Sequence, residues 1–437
     1  MPVLNKPIIS DNFNLDASGV VGFFGGEEVI AAIGTVHLYK GKRWLGWYNL
    51  PGSYTIARRF GQLANSGFWH HLFPGSNGSP ESSLGLDGKP GPKYVGALSG
   101  TVLEQTGYLG NLMTTGIKAA EVVKIPGRVT LPNEVALLDL RNADIWCTNS
   151  PVLQEDVGHA LLALIPIITS LATCIICGLC GDWYCFAMIL LGIVASGVTS
   201  FVIGSAELSI QTVRPASGSP PGDGMLIDTN SLVVLKGEEG VVNAITKGKF
   251  VLKLEGSPSY NRVGLCSMLL VIQFLLQLLL IPQGSLFGQV MFITSLAVSW
   301  LYCYYLSTIP QEDIQLKWLL RYLGNPKIQR FRLGTRTTMS VFACLMLCDG
   351  LPRPLRVVDP EKTLRDFIPL ESAVWQRWRK KVIRQLNAEK YGSLSELDLD
   401  DDDVEGFEEA DTALLNALLG DAKSAFAGYL SWRDSQS

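Results

Sequence analysis

Four apolar runs constrain this chain more than any other feature. They cover roughly residues 160–180 (ALLALIPIITSLATCIICGLC), 184–204 (YCFAMILLGIVASGVTSFVIG), 264–282 (GLCSMLLVIQFLLQLLLIP) and 288–307 (GQVMFITSLAVSWLYCYYLS). None contains Asp, Glu, Lys or Arg. A helix needs about 20 such residues to cross the hydrocarbon core of a bilayer. Runs this long and this free of charge read as transmembrane helices, not as buried helices of a soluble core. Bulk composition agrees. Charged residues make up 17% of the 437 residues and hydrophobic ones 47%, against about a quarter charged in soluble domains. The expected fold class is an α-helical integral membrane protein with four spans in two hairpins and α+β regions outside the bilayer.

Charge placement predicts the threading. Gly181, Asp182 and Trp183 join the first pair of runs and residues 282–288 join the second, with no Lys or Arg in either connector. Lys317, Arg321, Lys327, Arg330, Arg332 and Arg336 follow the fourth run, and six more basic residues lie in the loop 205–263. Basic loops stay cytoplasmic, so both termini and the central loop are expected inside and the two short turns outside, in a plasma membrane or an endomembrane. The start, MPVLNKPIISDNFNLDASG, has no basic stretch leading into an apolar core, and no cleaved signal peptide is expected. Trp183 and Tyr184 at the outer turn, and Trp300, Tyr302, Tyr304 and Tyr305 toward the inner end of the fourth run, suit the headgroup level.

The expected regions are a cytoplasmic α+β region 1–157, a hairpin 158–204, a cytoplasmic loop 205–263 with a small α/β module, a second hairpin 264–308, a basic helical region 309–395, and an acidic linker with a terminal helix, 396–437. GEEVIAAIGTVHLYKGKRWLGWYNL suggests short strands, and EVVKIPGRVTLPNEVALLDL a strand, a turn and a strand. In the central loop, GMLIDTNSLVVLKG reads as two strands, EEGVVNAITKG as a helix and KFVLKLEG as a third strand. TRTTMSVFACLMLCDG, residues 335–350, is too short to span and reads as a packed, interfacial or re-entrant helix. The 371–390 helix is basic. Arg377, Arg379, Lys380, Lys381 and Arg384 could meet an anionic inner leaflet or serve an ordinary domain helix. The acidic stretch after it, including Asp401, Asp402 and Asp403, reads as a solvated linker that could lie against that helix.

Within the spans, Gly192, Ser196, Ser200 and Gly204 recur every four residues. Such a stripe of small residues lets helix backbones approach closely, within a protomer or between copies. Gln273 and Gln277 share one helical face, with Ser295 and Ser299 as candidate partners. This polar strip is either interhelical glue or the lining of a pore. Pro166 is expected to bend the first span.

Cys174, Cys177, Cys180 and Cys185 fall within twelve residues, as in a thiolate metal site. On a helix, though, a spacing of three spreads thiols around the axis instead of gathering them on one ion. Cys180 and Cys185 flank a turn expected on the outer side, where a disulfide could staple the hairpin. Asn77 lies in a glycosylation sequon that a cytoplasmic location leaves unmodified. The four histidines, His37, His70, His71 and His159, offer only the adjacent pair as a metal candidate. The chain carries no phosphate loop, no His-Glu-x-x-His and no Gly-x-Ser-x-Gly, so no cofactor is called for and a non-enzyme is the leaning. A net charge of −4 gives no nucleic-acid footprint.

GDWYCFAMILLGIVASG, LKGEEGVVNAITKGKF and GLCSMLLVIQFLLQLLLIPQGSLFGQVMFITSLAVSWLY resemble multi-pass membrane proteins of fungi that carry no assigned function. The resemblance covers roughly the membrane half and implies no substrate. Three readings compete: a homo-oligomeric membrane assembly or partner-binding protein, an oligomeric ion or small-solute channel, and a thiol-redox or metal-binding membrane protein.

Overall fold

The computed structural model describes residues 24–37, 44–64, 67–75, 80–143, 161–253, 261–349, 359–388, 394–400 and 406–435. The expectations for the N-terminal segment, the Asn77 sequon, His159 and Asp401–Asp403 lie outside these residues. The helices are α1 (Gly26–His37), α2 (Ser53–Leu63), α3 (Gly67–Leu72), α4 (Pro80–Ser83), α5 (Tyr108–Gly116), α6 (Leu164–Leu179), α7 (Trp183–Ile203), α8 (Glu239–Thr246), α9 (Asn261–Leu280), α10 (Leu286–Ser307), α11 (Gln311–Tyr322), α12 (Arg336–Cys348), α13 (Pro360–Phe367), α14 (Ala373–Asn387) and α15 (Glu409–Asp434). The strands are β1 (Lys93–Gly96), β2 (Val102–Leu103), β3 (Val122–Lys124), β4 (Asn133–Asp139), β5 (Glu207–Gln211), β6 (Gly224–Ile227), β7 (Ser231–Lys236), β8 (Lys249–Lys253) and β9 (Lys327–Leu333).

The chain forms two units, and both are discontinuous. Unit 1 takes Met1–Gly88, Asn149–Ile210 and Phe250–Trp318; unit 2 takes Lys89–Thr148, Gln211–Lys249 and Leu319–Ser437. These boundaries cut across the expected regions. The apolar pattern marks each span, but it carries no information about which distant loops share a core.

Unit 1 holds the apolar helices. Among the described residues, α7, α9 with the turn that extends it to Gln283, and α10 are long and apolar enough to cross a membrane. The remaining run forms α6, whose 16 residues reach about 24 Å at 1.5 Å per residue. Pro166 sits in the first turn of α6, just after a turn at residue 163 that separates α6 from the helical residues 161–162; its missing N–H costs α6 itself no bond. One face of α6 buries Ser170, Thr173, Cys174 and Cys177, while Ile165, Ile168, Leu171 and Ile175 lie open on the other. An apolar face of that size suits lipid better than water.

Residues 26–37, 53–63 and 67–72 contribute helices to this unit. Gly26–His37, read from sequence as alternating, is helical and packs on α10, while α2 packs on α9. Glu27 and Glu28 in the first turn of α1 complement its dipole. β5 and β8 pair as a two-stranded sheet.

Unit 2 is built on a seven-stranded sheet of order β2-β1-β6-β7-β4-β9-β3. β4 runs parallel to β7 and antiparallel to β9, and β3 is parallel to β9 at one edge. The central-loop strands are therefore not a separate module. β6 pairs with β1 from before the apolar helices, and β4 lies between β7 and β9. Val135, Leu137, Leu232 and Val234 join the main core, and the alternate residues Ala136, Leu138, Val233 and Leu235 are also buried. A sheet covered on both faces requires such continuous apolar strands. The short apolar helix α12 is neither interfacial nor re-entrant. Every residue from Thr337 to Cys348 is buried, packed on β4, β7, β9 and α13 to α15, as expected of a helix apolar all round.

Candidate functional site

The described segment 44–52 carries the main surprise of unit 1, because it leaves helical geometry inside the apolar bundle. Its partners trace a path. Trp44 packs at a tilt against Phe201 near one end of α7, with ring centroids 4.9 Å apart. Ser196 Oγ then donates to the Gly46 carbonyl at 2.7 Å. Tyr48 meets Tyr302 edge-on and its hydroxyl lies 3.6 Å from Cys303 Sγ. Asn49 donates from its backbone N–H to Ser170 Oγ at 3.1 Å, and from Nδ2 to Ser295 Oγ at 2.8 Å. The chain turns at Gly52, whose φ of 67° lies in the left-handed region that glycine tolerates best. It returns as α2: Tyr54 packs on Phe274, Ala57 O accepts from Ser267 Oγ, and Trp69 beyond it lies over Gly264.

The segment therefore runs from the loop-bearing end of the bundle to its middle and back out to the same end. Irregular backbone at this depth is tolerated only where protein surrounds it. Here Gly46, Tyr48, Asn49 and Leu50 are all buried. The stripe of small residues makes room for it. An added Cβ at Gly192 would lie 2.0 Å from Asn49 Oδ1, and one at Gly46 would lie 2.1 Å from Ser200 Oγ. Gly204 lines, with Ser200, Tyr48 and Cys303, a cavity of about 40 Å³ beside the segment.

Asn49 is the hub of a polar centre. Ser170, Gly192, Gln273 and Ser295 stand near the midpoints of α6, α7, α9 and α10. Gln273, Gln277, Ser295 and Ser299 are all buried within the protomer. Ser295 serves Asn49 and its own helix, bonding Phe292 O at 2.7 Å, and Ser299 donates to Ser295 O at 2.9 Å. Among the described residues, neither serine hydrogen-bonds Gln273 or Gln277. Asn49 Oδ1, both amide atoms of Gln273 and Nε2 of Gln277 are buried without a hydrogen-bond partner.

Asp182 organises the turn end of the bundle. It caps α7 by accepting from Cys185 N at 3.2 Å. It also accepts from Ser285 N at 2.7 Å and from the Ser285 hydroxyl at the tip of the other hairpin. Its 3% exposure marks a carboxylate that bridges both turns. Cys174, Cys177, Cys180 and Cys185 are buried and not joined by disulfides. A Cβ at Gly284 would fall 2.4 Å from Cys185 Sγ, so this thiol points at the second hairpin. Among the described residues, no group of three or more His, Cys, Asp or Glu could hold a metal ion.

In unit 2 the basic helix α14 uses much of its charge internally. Arg379 is buried against Glu371 and the carbonyls of Ile368 and Leu370. Lys381 reaches Asp398 O and Asp400 in the acidic stretch. Arg377 lies over the Phe407 ring. Only Lys380 and Arg384 of the five are exposed. Asp421 of α15 is buried, holding Arg128 Nη2 at 2.8 Å and Thr337 Oγ1 at 2.5 Å. Glu134 sits between Arg330 and Arg332, which hold its carboxyl below the usual carboxylate range.

Sequence reasoning missed two residues. Asp182 had a local signal, since an Asp just before an apolar run is a helix N-cap. Asn49 had none: WLGWYNLPGS carries no period that marks one amide. The sequence matches no protein-family model, and no curated protein or solved structure is similar to it, so the resemblance to fungal multi-pass proteins rests on the sequence alone.

Proposed function

We propose that the chain is an integral membrane protein with four spans in two hairpins, both termini cytoplasmic, that holds a composite cytoplasmic domain at a bilayer for binding partners. The observation that carries this reading is the mixed sheet of unit 2. Its strands come from before, between and after the apolar helices, and one sheet occupies one side of a membrane. The chain must then cross an even number of times between β4 and β6, and again between β7 and β9. α9 and α10 supply two crossings in the second interval. In the first, α7 alone would give an odd count, so α6 must cross with it. Its lipid-type outer face, and the 66% exposure of Trp183 at the adjoining turn, support that assignment.

Partner binding is supported by the β3 edge. Val123, Val129 and Leu131 are exposed there, beside a groove of about 680 Å³ lined in part by Ile328, Phe331 and Trp432. An anionic leaflet would be met by Lys380 and Arg384. The intramembrane amides face the protomer interior, which favours assembly over an ion path along an oligomer axis.

A photoreactive residue in place of Val129 in the full chain, activated in native membranes, tests the partner role. The expected result is one discrete adduct, lost when Val123 and Leu131 are both changed to Glu. A heavier adduct identifies a foreign partner and a doubled mass a second copy. No adduct, or one that the changes do not affect, contradicts the reading.

A further inference from the structure

The polar centre of unit 1 is over-supplied with hydrogen-bonding groups for a packing device. An unpaired polar group in a hydrocarbon setting costs several kcal/mol. Asn49 Oδ1, Gln273 Oε1 and Nε2, and Gln277 Nε2 are all in that state. They come from three side chains that are each at most 2% exposed. Asn49 Oδ1 and Gln273 Nε2, an acceptor and a donor, both face the place where Gly192 lacks a side chain, 2.0 and 3.5 Å from an ideal Cβ. A side chain at 192 would press on both amides.

The N-termini of α1 and α2 touch beside Trp300: a Cβ at Gly52 would lie 2.6 Å from Gly26 N, and one at Gly25 would lie 2.6 Å from the Trp300 ring. Ser53 Oγ, at the start of α2, is likewise buried and unpartnered. Of these two N-termini, that of α1 carries Glu27 and Glu28 in its first turn, so the pair adds little net potential to the amide site. No Asp, Glu, Lys or Arg stands among Asn49, Ser170, Gly192, Gln273, Gln277 and Ser295 to balance an ion of either sign.

The two ends of the bundle differ. Toward the loop-bearing end, a cavity of about 40 Å³ lies beside Gly46, Tyr48 and Leu50, the residues that flank Asn49 in the chain. Toward the turn end the amide site is sealed by a tight apolar cluster that includes Cys177, Cys185, Ile189 and Phe292, beyond which Asp182 ties the two tips together.

We propose that unit 1 passes a small uncharged hydrogen-bonding solute through a mid-membrane site formed by Asn49, Gln273 and Gln277, in a conformation closed at the turn end. Primary amides supply both donors and acceptors, and so match a solute that offers both. The absence of a countercharge excludes ions, whose desolvation would go uncompensated. The proposal uses the four-span reading only to name the loop-bearing end cytoplasmic, and solute uptake succeeds or fails whatever a topology map gives.

The test is uptake by proteoliposomes of the full chain. The probes are water, followed by osmotic shrinkage, and radiolabelled urea and glycerol, with sodium and chloride currents measured on the same vesicles. The expected result is faster entry of at least one neutral probe than in protein-free liposomes, without ion current. Gln273→Met, which keeps the side-chain length and removes the amide, should slow that entry by about tenfold, the effect of one hydrogen bond lost at the barrier. If that variant does not fold, Gly192→Ala, which intrudes on Asn49 Oδ1, takes its place with the same expectation. Neutral probes entering no faster than in empty liposomes would overturn the proposal. So would entry that neither variant changes, or a protein-dependent sodium or chloride current.

Discussion

Replacing Asp182 with Asn tests how the two hairpin tips are held. The native carboxylate divides its oxygens: Oδ1 accepts from Cys185 N, and Oδ2 accepts from the backbone and hydroxyl of Ser285. An amide keeps the shape but offers only one accepting oxygen. Either the α7 cap or the Ser285 pair then faces an NH₂ group, donor against donor. Hydrogen bonds to a charged group contribute about 1.5–3 kcal/mol each, and a buried donor left unmet costs about 1–3 kcal/mol. Asp182→Asn should therefore destabilise unit 1 by about 2–3 kcal/mol. For a unit of roughly 200 residues this is a fall in Tm of about 4–12 °C. Ser285→Ala should cost about 1 kcal/mol, since it removes the hydroxyl bond and the α10 cap. The assay is thermal unfolding of the detergent-purified full chain, run as a double-mutant cycle. The two changes should be coupled by at least about 0.5 kcal/mol, because they share one contact. An Asp182→Asn protein within about 0.5 kcal/mol of wild type, or strict additivity with Ser285→Ala, would mean the carboxylate is solvated and the tips are not clasped.

Three further outcomes follow from the same contacts. Gly197→Ala puts a Cβ 2.3 Å from the Trp47 ring, so it should cost about 1–3 kcal/mol by overpacking, whereas Val198→Ala on the exposed face should be near neutral; paired thermal melts check this. Asp421→Ala removes the buried partner of Arg128 and Thr337; since the half-exposed Arg128 resolvates, it should destabilise unit 2 by about 1–3 kcal/mol, read by near-ultraviolet circular dichroism during denaturant unfolding. Glu134 is held below its ordinary value of about 4.3 first by its bond to Arg330, then by Arg332. Its contribution is complete above that value and disappears as pH falls through the lower folded-state value. Glu134→Gln should accordingly flatten the loss of stability at acidic pH, measured by unfolding across pH 2 to 6.

The apolar helices were legible because length and absence of charge are local properties. The same is true of β6, β7 and α8, whose short apolar runs and acidic start stand in the sequence. The sheet they join was not legible. Pairing of β4 with β7 and β9 is a relation between segments separated by whole spans, and no periodicity encodes it. α12 shows the same limit from the other side. Its ten or so apolar residues read equally as a membrane-surface or a core helix until α13, α14 and α15 are seen around it. At the polar centre, Gln273 and Gln277 announced themselves as amides in an apolar run. Their neighbour Asn49 lies in a short aromatic loop, and only the fold brings it to the same depth. The five basic residues of α14 looked alike in sequence, yet burial separates Arg379 and Lys381, which hold backbone carbonyls and carboxylates, from the exposed Lys380 and Arg384.

The most direct test of the account is the side of the membrane on which the sheet and the turns lie. Single cysteines placed at exposed positions, Ser99→Cys, Thr229→Cys, Asn325→Cys and Gln283→Cys, are labelled with a membrane-impermeant thiol reagent in sealed right-side-out and inverted vesicles. The account predicts that positions 99, 229 and 325, which precede, separate and follow the two hairpins, react together from the cytoplasmic side, while position 283 reacts from the opposite side. Labelling of positions 99 and 229 from opposite sides would mean that α6 does not cross, and would contradict both the four-span threading and the single sheet.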